Sequence, residues 1–250
     1  MRLDPMATSP PQSGSSEERG SHITTVFFDL DGTLLDTRPG IISSIFAALS
    51  ENMAAPLPPE SAFIIGPPIR EIIRRALPGI SPAALEASAK AFRHHYDTVG
   101  WQDSRPYAGV YEVLDELASR GIRRFVITNK PRTPTRLLLE RAGIFEVFEA
   151  VLSPDALDPP FVSKQAIAEH CVTTFGADRA TALFVGDSAD DASAAQACGI
   201  PFVAAAYGYG QVNALSAGMV CYQIADIREL PALLFSEDKA TRDADRRIGR

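Results

Sequence analysis

The feature that most constrains this chain is a repeated design. Short β-branched and aromatic runs stop abruptly at a polar residue, and helical patterns lie between them. T-T-V-F-F-D-L (Thr24–Leu30), R-R-F-V-I-T-N (Arg123–Asn129) and A-L-F-V-G-D (Ala182–Asp187) read as buried strands. V-F-E-A-V-L (Val147–Leu152) and P-F-V-A-A-A (Pro201–Ala206) read as weaker ones. A helix is predicted from Val110 to Gly121, with Val110, Val113, Leu114 and Leu117 on one face and a glycine at its end. A second runs from Pro134 to Gly143, opening with proline and closing with glycine. Lys164–His170 and Asp191–Gly199 repeat the theme. Apolar strands alternating with helices specify parallel β/α units with both faces of the sheet covered. The expected fold class is therefore α/β, a Rossmann-like doubly wound parallel sheet.

One stretch breaks the alternation. Between Arg38 and Arg105 there is no good strand, while I-I-S-S-I-F-A-A-L, R-E-I-I-R-R-A-L and A-A-L-E-A-S-A-K-A-F-R-H-H-Y carry helical spacing. The expected organisation is a core of residues 23–37 and 106–235, with a small helical domain, residues 38–105, inserted after the first strand. An insert at the carboxyl end of a strand sits over the crevice where doubly wound folds bind ligands. Residues 1–22 are rich in Ser, Pro and Gly without apolar periodicity and read as a disordered tail. Residues 236–250 alternate charges with few apolar anchors and read as a frayed end.

Composition excludes several classes. The 250 residues are 46% apolar, enough for a core. The longest apolar runs are too short to span a bilayer, and the first residues lack the apolar stretch of a secretory signal. With 24 Lys+Arg against 31 Asp+Glu, the formal net charge of −7 offers no general footprint for nucleic acid. The three cysteines, Cys171, Cys198 and Cys221, are dispersed and odd in number, which reads as free buried thiols in a reducing cytoplasm. No histidine has metal-ligand spacing with another. Nucleic acid and membrane are thus not expected partners, and no oligomeric state is assigned.

The chemistry sits at the strand ends. Asp29 and Asp31, two residues apart at the end of the first strand, are expected on one side of it, where two carboxylates invite a cation or a shared proton. Gly32 then allows a sharp turn. G-D-S-A-D-D places Asp187 at the tip of another strand, with Asp190 and Asp191 just beyond, although one of these could serve only to cap a helix. Several carboxylates with neither thiolate nor imidazole suit a hard cation, Mg²⁺. Thr128 ends a strand, and its hydroxyl with the following backbone N–H groups could hold a phosphate oxygen. Lys164 opens a helix, against the preference for anions there, which suggests a role other than structure. The Gly66-Pro67-Pro68 turn precedes Arg70, which could meet a substrate carboxylate or phosphate. A solvated arginine is the alternative.

These residues carry a resemblance. D-L-D-G-T (Asp29–Thr33), V-I-T-N-K with Thr128, Lys164, and V-G-D-S-A-D-D (Val185–Asp191) match, in order and context, the four motifs of the haloacid dehalogenase-like superfamily. The helical insert resembles its type 1 cap. R-P-Y-A-G-V (Arg105–Val110) and F-I-I-G-P-P-I-R-E (Phe63–Glu71) are similar to phosphoglycolate phosphatase-like members. The resemblance spans about residues 24–235 and implies Mg²⁺-dependent hydrolysis of a small phosphorylated metabolite. It implies Asp29 as the nucleophile that becomes an aspartyl-phosphate, and Asp31 as general acid and then base. It implies a metal held by Asp29, Asp31, Asp187 and Asp191, and phosphoryl oxygens bound by Thr128, Asn129 and Lys164. A carboxylate approaches a phosphate dianion only when charge is neutralised, which Mg²⁺ and Lys164 would do. One departure is Gln165, where many members carry proline after the lysine. Lys130, in the second motif, is the fallback for that lysine. A phosphosugar mutase of the same superfamily is the nearest alternative. A phosphonate hydrolase would use a cap lysine, of which Lys90 is the sole example, and a non-catalytic binding module is the remaining alternative.

Overall fold

Val26, Phe27 and Phe28 are the last three residues of a strand buried on both faces, and the architecture follows from that run. The protein is described here by a computed structural model covering residues 22–53, 56–210, 220 and 222–235. The expectations for the two tails, His22 excepted, and for Cys221 concern residues outside that set. Strand β1 (Thr25–Phe28) lies near the centre of a parallel sheet with β4 (Arg123–Ile127), β5 (Ala150–Leu152), β6 (Ala182–Gly186), β7 (Phe202–Ala205) and β8 (Tyr222–Ile224). The spatial order is β5-β4-β1-β6-β7-β8. Val26 faces Arg124 on one side and Leu183 on the other, so β1 is paired along both edges.

Side-chain alternation sorts the strands into two apolar layers. Phe27 goes to one face with Phe125, Phe184 and Phe202, while Val26 and Phe28 go to the other with Val126, Val185 and Val203. Phe27 packs on Phe125 with ring centroids 5.4 Å apart. Helices α6 (Lys164–Phe175) and α7 (Ala189–Ala197) cover the first face through Ile167, Cys171, Ala192 and Ala195. Helices α4 (Val110–Ser119) and α5 (Arg132–Arg141) cover the second through Val113, Leu117, Leu138 and Leu139. Each large apolar side chain buried this way stabilises the fold by about 1.5–3 kcal/mol. Cys171 and Cys198 are free and buried.

The chain winds from β1 outward to β4 and β5, then returns to β6 on the opposite side of β1. The carboxyl ends of β1 and β6 are therefore neighbours at the point where the winding reverses, the place where doubly wound sheets bind ligands. Over that point lie α1 (Arg38–Asn52), α2 (Ile69–Ala76) and α3 (Pro82–Thr98). They share an apolar cluster of their own, including Ile45, Leu49, Phe63, Ile73 and Leu85. Ser81 caps α3, its hydroxyl accepting from the Ala84 N–H at 3.2 Å.

Four local expectations need correction. β1 ends at Phe28, so Asp29 and Asp31 lie beyond the pleat and converge through the turn that follows, not by strand alternation. A two-residue antiparallel ribbon, β2 (Leu35–Asp36) with β3 (Arg105–Pro106), joins the chain entering the helices to the chain leaving them. It is too short to leave a periodic signal. Strand β8 was not anticipated, because two of its three residues are exposed at the sheet edge. Finally, α5 begins at Arg132 rather than at Pro134. Among the described residues no helix is long and apolar enough to cross a membrane.

Candidate active site

The turn after β1 places the first acidic pair. Asp29 is buried, and its backbone N–H donates to the Val185 carbonyl at 2.9 Å, which locks it against β6. Gly32 adopts φ +88°, and a Cβ there would stand 2.1 Å from Asp187 Oδ2, so the turn needs glycine on both counts. Asp31 remains partly accessible, and its Oδ2 pairs with Lys130 Nζ at 3.0 Å.

The end of β6 supplies the second pair. Asp187 is buried, and its Oδ2 accepts the backbone N–H groups of Tyr209 at 3.0 Å and Gly210 at 2.8 Å. Asp191 closes a capping box at the start of α7: its Oδ2 accepts from the Ser188 N–H at 3.0 Å and the Ser188 hydroxyl at 2.6 Å. Capping and site membership are thus combined in one residue. Lys164, the first residue of α6, is buried, and its ammonium contacts both Asp29 Oδ1 and Asp191 Oδ1.

Electrostatics explain what this cluster needs. Burial raises the Asp29 carboxyl well above its ordinary range, and Asp191 raises it further; the opposing pull of Lys164 does not compensate. Burial, then Asp191, pushes Asp187 up to about 7 despite its two backbone donors. Burial alone would lower Lys164, but Asp191 and Asp29 outweigh it and hold the ammonium protonated. One lysine therefore faces three buried carboxylates. Asp29, Asp187 and Asp191 each bring an oxygen within 4.8 Å of the others. An all-oxygen, charge-deficient set of this kind fits a hard divalent cation.

The remaining expected residues are placed as follows. Thr128 is buried at the end of β4, and its Oγ1 accepts from the Lys130 N–H at 3.1 Å. Asn129 Nδ2 donates to Asp190 Oδ2 at 2.5 Å. Both line a cavity of about 500 Å³ together with Asp29, Asp31, Lys130, Lys164 and Asp187, roofed by Ile41, Ile65, Pro68, Phe92 and Tyr96 from the helical layer. Arg70 also lines it, yet its guanidinium is held in a two-pronged pair by Glu86, at 2.7 Å on each oxygen. Arg70 thus stands on the cavity wall with its guanidinium engaged by Glu86.

Three features were missed or undervalued in the sequence. Lys130 is buried and points at Asp31, with Nζ 4.5 Å from the centre of the Tyr96 ring. Tyr207-Gly208-Tyr209-Gly210 wraps Asp187, two of its backbone N–H groups donating to that carboxylate. A Cβ on Gly208 would stand 2.3 Å from the Gly32 carbonyl and 2.5 Å from Asp187 Oδ2. Its signal was the glycine at every second position. Arg93 lines the cavity within electrostatic reach of Glu86 and Asp97, and it makes no hydrogen bond or ion pair among the described residues.

Comparison with known proteins places this arrangement. A family model described as haloacid dehalogenase-like hydrolase matches residues 26–205. A phosphoglycolate phosphatase from Rhodospirillum rubrum is 34% identical over 77% of this chain and 83% of its own. The structure of a predicted phosphoglycolate phosphatase from Haemophilus somnus superposes with TM-score 0.75, at 26% identity, over 86% of this chain and 99% of that one. The structure of protein tyrosine kinase A from Mycobacterium tuberculosis superposes with TM-score 0.73, at 32% identity, over 86% of this chain and 99% of that one.

Proposed function

Since the chain belongs to the haloacid dehalogenase-like hydrolase family and is an enzyme of the phosphatase kind, we propose that it hydrolyses a small phosphomonoester through an aspartyl-phosphate on Asp29. The observation that carries this reading is the position of Asp29. It is a buried carboxylate at the switch point of the sheet, touched by Lys164, with Asp31 two residues on and one buried oxygen of Asp31 lacking a hydrogen-bond partner among the described residues. In this reading Asp29 attacks phosphorus and the bond to the ester oxygen breaks. Asp31 gives a proton to the departing alcohol. Asp31 then takes a proton from water, which attacks phosphorus and releases inorganic phosphate, regenerating the Asp29 carboxylate. Thr128, Asn129 and Lys164 hold the phosphoryl oxygens. Asp29, Asp187, Asp191 and the Asp31 backbone carbonyl would hold Mg²⁺, which when bound supplies the positive charge that lets an anionic nucleophile meet an anionic substrate.

The helices α1–α3, residues 38–105 in this division of the chain, act as a cap that excludes water between the two steps. The cavity of about 500 Å³, with Ile41, Ile65, Ile69, Ile72 and Phe92 among its walls, is roomier than glycolate needs, so sugar and nucleotide phosphates belong beside phosphoglycolate as candidates. The test is phosphate release from such a panel, with Mg²⁺ and with EDTA, by the wild type and Asp29→Asn. The reading expects metal-dependent multiple turnover that the substitution abolishes. Turnover that survives it, or phosphoryl transfer to a protein tyrosine without phosphate release, would overturn the reading.

A further inference from the structure

The two oxygens of Asp31 are treated differently by the fold. Oδ2 is 3.0 Å from Lys130 Nζ. Oδ1 is buried and has no hydrogen-bond partner among the described residues. Lys130 is itself held tightly. Its N–H donates to Thr128 Oγ1 at 3.1 Å, its carbonyl accepts from the Thr135 hydroxyl at 3.3 Å, and its ammonium lies 4.5 Å from the centre of the Tyr96 ring. Tyr96 belongs to α3 and packs in the apolar cluster of the helical layer, stacked on Phe92 with centroids 5.6 Å apart. One ammonium thus ties the turn after β1, the end of β4 and the layer above them.

A lysine is an unusual choice for a buried position, because its desolvation is costly unless its charge is met. Here a carboxylate oxygen meets it on one side and an aromatic face on the other, an arrangement that favours a fixed cation. The pair fixes one oxygen of Asp31, while the other is buried without a hydrogen-bond partner among the described residues.

We propose that Lys130 is a positioning residue: gripped between the Tyr96 ring and Asp31 Oδ2, it fixes the orientation of the Asp31 carboxyl for proton transfer to the ester oxygen of the substrate. The proposal rests on the reading of Asp31 as the group that protonates the leaving alcohol. It adds that the helical layer takes part in that step through Tyr96, since the aromatic face that seats the lysine comes from α3. Lys130 acts through Asp31, whereas Lys164 acts on Asp29 and Asp191, so the two buried lysines have separate tasks.

Leaving-group dependence separates this role from others. p-Nitrophenolate departs from p-nitrophenyl phosphate without needing a proton, whereas the alkoxide of phosphoglycolate or glycerol phosphate needs one. A positioned general acid is worth about 10²–10⁴-fold. For Lys130→Met, kcat/KM on the alkyl phosphates is expected to fall at least about tenfold more than on p-nitrophenyl phosphate, part of that acid contribution being lost with the alignment. Tyr96→Leu, which removes the aromatic face without touching the ion pair, is expected to change the ratio in the same direction. Tyr96→Phe, which keeps the face, is expected to restore it. An equal loss on both classes of substrate would overturn the proposal, making Lys130 a phosphate-binding or purely structural residue. A normal ratio in Tyr96→Leu would remove the helical layer from the account. Asp29→Asn, run alongside, tests the underlying reading separately. If it retains turnover, or if the wild type releases phosphate from neither class, the assignment of Asp31 fails and the positioning role falls with it.

Discussion

The backbone N–H of Tyr209 donates to Asp187 Oδ2 at 3.0 Å, tying the loop after β7 to the tip of β6. Gly210 adds a second donor to the same oxygen, and the Tyr209 hydroxyl reaches Thr37 Oγ1 at 2.6 Å, beside the start of α1. Asp187 therefore projects from a socket made by a loop more than twenty residues downstream, as the separation in sequence records. The site depends on that socket as much as on its acidic residues.

Gly208→Ala tests the socket. The added methyl would meet the Gly32 carbonyl and the Asp187 side chain well inside contact distance. Overpacking of this kind costs about 1–3 kcal/mol. We expect a fall in Tm of about 2–12 °C for a chain of this size, together with weaker Mg²⁺ dependence of activity. A calorimetric scan and a Mg²⁺ titration check both.

Asp29→Asn is expected to separate function from stability. The substitution removes the proposed nucleophile, yet it also removes a buried carboxylate whose ionised form is disfavoured by burial and by Asp191. Activity should vanish, while Tm in metal-free buffer near pH 8 stays level or rises. A large drop in Tm would show that the Lys164 pair outweighs the desolvation and repulsion.

Lys164→Met should have the opposite outcome. It leaves buried Asp29 and Asp191 without their shared counter-charge, and breaking a buried pair in this way costs about 3–5 kcal/mol. Urea unfolding measures the loss, and Mg²⁺ is expected to recover part of it.

Stabilisation by Mg²⁺ should grow with pH. Asp187 has a folded-state value of about 7, above its ordinary 3.8, and Asp29 is raised as well. In the metal-free protein these groups bind more protons folded than unfolded, so their contribution to stability falls as pH rises through that window. A cation competes with those protons. The rise in Tm on adding Mg²⁺ should therefore be larger at about pH 8 than at about pH 5.5. An equal or smaller rise would contradict the acidic cluster as the cation site.

Arg93 is expected to matter more than Arg70 for a substrate bearing a second anionic group. Arg70 is engaged by Glu86, whereas Arg93 faces the cavity without a hydrogen-bonded partner among the described residues. A charge-assisted contact is worth about 1.5–3 kcal/mol. Arg93→Ala should raise KM for phosphoglycolate by about ten- to a hundredfold and leave p-nitrophenyl phosphate much less affected. Arg70→Ala should change either by less than about fivefold.

The sheet was legible because its code is local. Val26, Phe27 and Phe28 announce a doubly buried strand, and the alternating aromatic rows of β1, β4 and β6 follow from the same period. Asp29, Lys164 and Asp187 were legible because each interrupts such a pattern at an element end. Lys130 was undervalued because nothing local distinguishes a buried lysine from a solvated one; its partners, Asp31 and Tyr96, are distant in sequence. The Tyr207–Gly210 socket escaped for the same reason, since its glycines are explained by the approach of Gly32 and Asp187, both distant in sequence. Arg70 was singled out from a rigid turn and a helix start, but Glu86 lies a helix away.

The most direct test of the account is the site of phosphorylation during turnover. Wild-type protein is mixed with Mg²⁺ and an alkyl phosphate, quenched in acid within the first turnover, and mapped by peptide mass. A single phosphoryl group is expected on the peptide containing Asp29, labile at neutral pH and absent from Asp29→Asn. A phosphoryl group on any other residue, or none while phosphate is being released, would contradict it.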